Sequence, residues 1–198
     1  LTNRMVILNN GNIGIGTASP VRQLSIVDDG TRGQAMLELV SANNDLAGIF
    51  LGRANNTNVG GMRYFHATNH LALRSNDVDA VIINSSGNVG IGVTPSPWVS
   101  SAKVMEAGGA SVASLSAADA FFSANAYYDG AWKYKASGVA RNHYMNADGF
   151  VWRQAASGSA NGAISWSEAM RIDSSNNLLV GQSTTTVPGV GNTTAGVS

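Results

Sequence analysis

The stretch "NNGNIGIGTASP" at residues 9–20 recurs twice further along the chain, and this recurrence decides the fold. A second copy, "SSGNVGIGVTPSP", lies at residues 85–97, and a degenerate third copy, "SSNNLLVGQ", lies at residues 174–182. The first offset is 76 residues and pairs Ile7 with Ile83, whereas the second is 89 residues and pairs Ile83 with Ile172. Two larger units therefore lie between three copies of one short signature.

Each copy predicts a β-hairpin. An apolar run ("RMVIL", "DAVII" or "EAMRI") precedes a turn of Asn, Ser and Gly, and a second run ("IGIG", "VGIG" or "LLVG") follows it. The alternation of a strand places Ile13 and Ile15 on one face and Gly14 and Gly16 on the other. A strand face without side chains indicates that a neighbouring strand or a neighbouring subunit packs closely against it.

Short apolar runs separated by Gly, Asn, Asp and Thr fill the rest of the chain and predict an all-β fold. Only at "SLSAADAFF", residues 114–122, does a helical turn compete with the strand interpretation. We expect six segments: a β-hairpin linker at 1–20, a first β-rich unit at 21–78, a second hairpin at 79–97, a second, aromatic-rich unit at 98–167, a third hairpin at 168–182 and an extended C-terminal arm at 183–198.

The composition excludes several classes of partner. Twelve basic side chains balance twelve acidic ones, and only 12% of the 198 residues are charged. Such a neutral composition does not indicate binding to a nucleic acid or an anionic membrane. A surface with few charges favours an oligomer. The absence of cysteine removes disulfides, thiolate metal sites and cysteine nucleophiles. No apolar run is long enough to span a bilayer, and because the chain begins at Leu1 we expect it to be a piece of something longer.

Nucleotide and metal sites are disfavoured by their context. Ser19 replaces the third glycine of the dinucleotide pattern after Gly14 and Gly16, and no helix follows. His66 and His70 have the spacing of a metal pair, but this spacing converges only on a helix, whereas "YFHATNHLALR" predicts strand, turn, strand. We therefore expect no metal and no cofactor, although in a trimer a ring of one histidine from each chain could bind an ion.

Catalytic carboxylates form the main enzymatic alternative, because glycoside hydrolysis needs only a facing pair. Asp129 and Asp148 precede glycines in predicted turns, while Glu106 and Glu168 lie in strand-like runs. No acidic pair stands out in the sequence, and the members of a Ser-His-Asp triad need not be neighbours in sequence. We therefore expect a binding protein rather than an enzyme, with a depolymerising enzyme as the alternative.

Aromatic residues are concentrated between Phe121 and Trp152. We expect Phe121, Phe122 and Phe150 above all to fill the core of the second unit. Tyrosine and tryptophan combine an apolar face with a polar edge, and basic side chains interleave with them here, which favours a platform for sugar rings. The predicted receptor-binding residues are Tyr127, Tyr128, Trp132, Tyr134, Arg141, His143, Tyr144 and Trp152.

The repeats carry a family resemblance. "RMVILNNGNIGIGTASPVRQLSI" and "EAMRIDSSNNLLVGQSTTTVPGVGNTTAGVS" resemble the distal tail fibres and tailspikes of bacteriophages, in the region just before the endosialidase-type intramolecular chaperone domain. The resemblance rests on the signature "MRIDSSGNVGIG", which covers both ends and the middle of this chain. The third copy departs from it with "SSNN" and "LLVG", so its turn and its glycine face are expected to differ.

The resemblance implies an intertwined homotrimeric fibre in the virion tail that acts outside the cell. It also implies a C-terminal intramolecular chaperone that guides assembly and cuts itself off after a serine, which Ser198 would be here. The function expected from the resemblance and the aromatic residues together is recognition of a host cell-surface receptor, a glycan, without chemical turnover. The alternatives are a polysaccharide-depolymerising tailspike and a passive structural shaft segment.

Overall fold

The computed structural model describes residues 5–27, 35, 37–42 and 45–181. The chain divides into two compact units, Leu1–Ser41 and Ala42–Ser198. The predicted all-β class is confirmed, because the described residues form seventeen β-strands and no helix. The described residues accordingly contain no helix long and apolar enough to cross a membrane. The segment at residues 114–122, where a helical turn competes with a strand in the sequence, contains a turn that leads into a strand.

The first unit is a three-stranded sheet. Its strands are β1 (Met5–Ile7), β2 (Ile13–Ile15) and β3 (Leu24–Ile26). The first two strands form an antiparallel hairpin, and β3 pairs in parallel with β2.

The second unit contains fourteen strands. They are β4 (Leu46–Arg53), β5 (Asn56–Phe65), β6 (His70–Ser75), β7 (Val78–Ile83), β8 (Val89–Ile91), β9 (Lys103–Ala107), β10 (Ala110–Ser114), β11 (Ala120–Ala124), β12 (Ala126–Tyr128), β13 (Trp132–Tyr134), β14 (Gly138–Asn146), β15 (Gly149–Gly158), β16 (Ser167–Asp173) and β17 (Leu178–Val180). Twelve of them form one sheet in chain order, and β12 and β13 form a separate hairpin. Every neighbouring pair in the large sheet is antiparallel except β8 and β9. The large sheet therefore joins strands from both predicted β-rich units.

A hairpin forms at each of the three signatures, in the same register. Ile7 pairs with Ile13, Ile83 with Val89, and Ile172 with Leu178. The position after the turn has a positive φ in every copy, at 85° for Gly11, 78° for Gly87 and 65° for Asn176. Asparagine tolerates this left-handed conformation better than most residues, so the third copy keeps the turn without glycine.

Two of the bare glycine positions, Gly14 and Gly90, are packed by the chain's own next turn. A Cβ atom on Gly14 would lie 2.4 Å from the carbonyl oxygen of Thr17, and one on Gly90 would lie 2.1 Å from that of Val93. The third copy has Leu179 at the corresponding position, and this side chain is buried. The lack of a side chain at Gly14 and Gly90 therefore follows from a tight local turn, whereas Gly16 and Gly92 have positive φ angles of 75° and 66°.

One face of the twelve-stranded sheet carries a continuous line of mostly apolar side chains. Register partners on neighbouring strands lie on the same face, so the pairing can be followed from strand to strand. We call the resulting line the apolar row; it consists of Ala47, Tyr64, Leu71, Ile83, Val89, Met105, Val112, Phe122, His143, Trp152, Met170 and Val180. It contains no acidic side chain, no lysine and no arginine. Several members, including Met105, Val112 and Phe122, are at least 40% exposed.

The opposite face is covered between β9 and β16, and the core lies there. Trp98, Val104, Ala113, Phe121 and Tyr127 form a buried cluster, which places the β12–β13 hairpin against the sheet. Next to this core runs a second line of register partners, which is polar: Glu106, Ser111, Ser123, Asn142, Arg153 and Glu168.

The expectation that three phenylalanines fill the core is right for one of them. Phe121 is buried, whereas Phe122 and Phe150 are 40% and 47% exposed on the other face. The reason is the alternation of the strand, because neighbours in sequence point to opposite faces and only one face of β11 is covered.

Candidate functional site

The eight predicted receptor-binding residues are divided between the two faces of the sheet. Arg141, His143 and Trp152 belong to the uncovered apolar face. The other five lie on the covered side, where Tyr127 and Tyr134 are buried and Tyr128, Trp132 and Tyr144 are half-buried. The predicted release site at Ser198 and the predicted arm at 183–198 lie outside the described residues.

The covered side brings one arginine against three aromatic rings. The guanidinium carbon of Arg153 lies 5.0 Å from the ring centre of Trp132, 4.7 Å from that of Tyr144 and 4.5 Å from that of Trp166. These distances are within the range of cation–π attraction. We call these four residues the arginine cluster. All four are half-buried, so the cluster borders on solvent.

Four separate segments build the arginine cluster. Tyr144 and Arg153 lie on the paired strands β14 and β15, Trp132 begins β13, and Trp166 directly precedes β16. The ring of Trp132 is 5.3 Å from that of Phe121 and 5.8 Å from that of Trp166, centre to centre. The cluster is therefore anchored in the core through Trp132.

Two consecutive hydrogen bonds fix the side chain of Arg153 on the surface of the sheet. Nε of Arg153 donates to Oδ1 of Asn142 at 3.0 Å, and Nδ2 of Asn142 donates to Oγ of Ser123 at 2.6 Å. Asn142 and Ser123 are both buried, so their rotamers are restricted by packing as well as by hydrogen bonds. The guanidinium is consequently held in place before any ligand arrives.

The charge of Arg153 is not balanced by a neighbouring carboxylate. Glu168 is its register partner on β16, but this carboxylate accepts hydrogen bonds from Nε and Nη2 of Arg171 at 2.6 and 2.5 Å. Within the described part of the chain, Arg153 forms no ion pair. Burial lowers the pKa of Arg153 to about 10, with the nearby Tyr144 acting weakly in the opposite direction.

Two buried donors in the arginine cluster have no acceptor among the described residues. They are Nη2 of Arg153 and Nε1 of Trp166. Buried N–H groups are nearly always hydrogen-bonded, so these two donors are available to an acceptor other than the described residues.

A groove of about 610 Å³ lies on the opposite, apolar face. Three of its side chains stack in a ladder across neighbouring strands. The rings of Phe122 and His143 are 4.6 Å apart at an angle of 4°, and those of His143 and Trp152 are 6.0 Å apart at 20°. Arg141 is exposed at the same groove. Apart from this arginine, the groove presents mostly apolar side chains, which suits a protein surface better than a sugar.

The two spaced histidines lie where the sequence predicts them, and two of the strand and turn carboxylates bind lysines. The predicted strand, turn, strand at His66 and His70 is confirmed, with His66 in the turn and His70 opening β6. The described residues hold no group of three metal-ligating side chains. The carboxylate of Asp129 binds Lys133, and that of Glu106 binds Lys135. A histidine ring formed between subunits stays a prediction.

Sequence reasoning missed Trp166 and did not include Arg153 among the receptor-binding residues. Trp166 lies in the run "AISWSE", thirteen residues after Arg153 in the chain, and nothing local connects the two. The usable signal was the alternation in β15, where Arg153 lies between Val151 and Ala155 on the buried side. An arginine at such a position is expected to have a specific partner.

No protein-family model matches the chain, and no curated protein matches it. The functional interpretation of the arginine cluster therefore depends on its own geometry and chemistry.

Proposed function

We propose that the chain is a segment of a bacteriophage tail fibre that binds a glycan on the surface of its host and breaks no bond. The observation that carries the proposal is the arginine cluster, in which three half-buried rings with polar edges surround a fixed guanidinium. Aromatic faces stack on sugar rings, and the polar groups beside them hydrogen-bond to hydroxyls. The site is pre-organised by Asn142, which reduces the entropy lost on binding.

The fibre context is supported by the repeated hairpins. Three signatures separated by 76 and 89 residues adopt one register and one turn conformation, as expected of a motif that punctuates a long fibre. A C-terminal chaperone, release after Ser198 and a place in the virion tail are further parts of this proposal, and they rest on the resemblance of the sequence.

Self-association into a trimer is the third part of the proposal. The apolar row supports it, because an exposed and mainly apolar line of this length is typical of a surface that another protein covers. Three copies would also carry three arginine clusters, so that weak individual contacts combine into firm attachment. The formal net charge of zero means that copies do not repel one another strongly.

The test compares two tryptophan variants in adsorption to a panel of bacteria and on a glycan array. Trp166→Leu removes a ring of the arginine cluster, whereas Trp152→Leu makes the same change on the other face of the sheet. We expect Trp166→Leu to weaken binding by roughly tenfold or more and Trp152→Leu to leave it nearly unchanged in any variant that still assembles. Circular dichroism and light scattering check the fold and the assembly of both variants.

The same samples distinguish the alternatives. A depolymerising enzyme would shorten a bound polysaccharide on incubation, whereas a binding protein would leave its length unchanged. A passive shaft would bind neither cells nor glycans. Loss of binding with Trp152→Leu alone, in a correctly assembled protein, would contradict the choice of the arginine cluster.

A further inference from the structure

We propose that the guanidinium of Arg153 binds an anionic group of the host glycan, a carboxylate or a phosphate. This inference rests on the proposed glycan-binding function and narrows it to acidic saccharides. The other half-buried or buried arginines of the large sheet have carboxylate partners: Arg63 binds Asp79, Arg74 lies near Asp77 and Asp79, and Arg171 binds Glu168. Arg153 differs from them because the described residues offer it no carboxylate.

The arginine cluster contains two unpaired N–H donors, and an anion supplies acceptor oxygens for such donors. Nε of Arg153 is already bound to Asn142, which leaves the far edge of the guanidinium for a ligand. Nη2 of Arg153 and Nε1 of Trp166 are both buried without an acceptor among the described residues. Carboxylates and phosphates present several acceptor oxygens, and their hydrogen bonds to arginine are about twice as strong as those between neutral groups.

The surrounding charges favour an anion over a neutral sugar. Lys133 is neutralised by Asp129, and Arg171 by Glu168, so neither pair compensates Arg153. Burial lowers the pKa of Arg153 only to about 10, so the group keeps its charge at neutral pH. A partly desolvated cation without a counter-ion is energetically unfavourable, and an anionic ligand removes this penalty on binding.

The rings around the guanidinium give the expected binding event a spectroscopic signature. Trp132 and Trp166 are the tryptophans in contact with the guanidinium, so binding should change the intrinsic fluorescence of the protein. The sugar rings next to the anionic group would then stack on the half-buried aromatic rings of the cluster.

The experiment measures binding of the assembled chain to uronic-acid-containing, phosphorylated and neutral bacterial polysaccharides, by tryptophan fluorescence and by surface plasmon resonance. Arg153→Met removes the charge and keeps most of the apolar stem. Arg141→Met makes the same change at an exposed arginine on the opposite face. We expect acidic or phosphorylated polysaccharide to bind the parent in preference to neutral polysaccharide, and to lose about tenfold or more in affinity with Arg153→Met only.

A comparison of the uronic-acid-containing polysaccharide with the phosphorylated one shows whether the bound group is a carboxylate or a phosphate. If Arg153→Met does not fold, Arg153→Lys keeps the charge without the planar fork, and we expect it to bind several-fold more weakly than the parent. The inference is overturned if the parent prefers neutral polysaccharide, or if Arg153→Met or Arg153→Lys binds acidic polysaccharide as tightly as the parent. Binding to cells and neutral glycans would then leave the proposed function standing, whereas a parent that binds no polysaccharide and no cells would refute the proposed function itself.

Discussion

The ammonium group of Lys135 lies 3.2 Å from the carboxylate of Glu106, and both side chains are almost completely buried, at 9% and 2% exposure. The carboxylate also accepts hydrogen bonds from the backbone N–H and the hydroxyl of Ser96, at 3.2 and 3.3 Å, and from the indole of Trp98. Lys135 follows β13, Glu106 lies on β9, and Ser96 belongs to the connection between β8 and β9. This one carboxylate therefore ties three segments of the second unit together.

Replacing Glu106 with glutamine should strongly destabilise the protein. The substitution keeps the shape of the side chain but leaves the ammonium of Lys135 buried without a counter-ion, and breaking a buried pair in this way costs about 3–5 kcal/mol. The measurement is the free energy of unfolding in urea. Lys133→Met is the matched control, since it removes a more exposed partner from the pair with Asp129 and should have little effect. Similar stabilities for the two variants would refute the structural role of Glu106.

The glycine of the second hairpin should not tolerate even one methyl group. A Cβ atom on Gly90 would lie 2.1 Å from the carbonyl oxygen of Val93 and 2.9 Å from Cδ of Pro95, so Gly90→Ala forces the backbone to move. We expect a loss of about 1–3 kcal/mol in the free energy of unfolding, as for other overpacked sites. Gly109→Ala is the control, because a Cβ atom there meets nothing within 4 Å and the φ angle is not positive. Equal stabilities would indicate that the turn after β8 is looser than described.

The third hairpin should lose stability in acid through Asp173. Its carboxylate accepts hydrogen bonds from the backbone N–H groups of Asn177 and Ser175, both at 2.9 Å. The bonds to Asn177 above all lower the pKa of Asp173 below its ordinary value of 3.8. A carboxyl group whose pKa is depressed by folding stabilises the protein above the ordinary value, and this stabilisation disappears as the pH falls through the depressed one.

Asp173→Asn should remove this acid dependence without opening the turn. Asn84 occupies the equivalent position of the second hairpin and accepts the same two backbone hydrogen bonds, from Ser86 and Asn88. Amide hydrogen exchange of Asn177, measured from pH 5 to pH 2 and corrected for intrinsic exchange, should change in the parent and stay flat in the variant. Identical profiles in the two proteins would show that Asp173 does not control the turn.

How far the sequence predicts the structure differs between the hairpins and the core. The three hairpins were predictable because their turns need a residue that adopts positive φ. Glycine and asparagine meet this requirement, and they occur in the sequence as Gly11, Gly87 and Asn176. The face on which an aromatic residue is buried was not predictable. Phe121 and Phe122 are neighbours of equal hydrophobicity, and only the position of the β12–β13 hairpin decides which of them is covered.

The sequence predicted the region of the candidate site and its aromatic composition, but it did not predict all of the residues that form it. Trp132 and Tyr144 were among the predicted residues, whereas Trp166 and Arg153 join them through strand pairing that no local pattern reveals. A β-bulge between Trp152 and Arg153 changes the register with β16 at this point, and the alternation places the two side chains on opposite faces. Non-local pairing of this kind is set by the whole sheet.

The last prediction concerns the apolar row and the proposed self-association. Val112 lies in the middle of the row, on β10, and is 42% exposed in the single chain. If copies of the chain cover this face, Val112→Lys buries an unpaired ammonium group in the interface and should dissociate the assembly. Ala117→Lys places the same charge in an exposed turn and should leave assembly unchanged.

Sedimentation velocity at micromolar concentration distinguishes the two outcomes. We expect the parent and Ala117→Lys to sediment as trimers and Val112→Lys to sediment as a smaller species with the same far-ultraviolet circular dichroism. A monomeric parent, or a Val112→Lys variant that assembles like the parent, would mean that the apolar row does not hold the copies together. Because the charge is introduced on the face away from the core, a folded but dissociated Val112→Lys variant would assign the loss to the interface rather than to the fold.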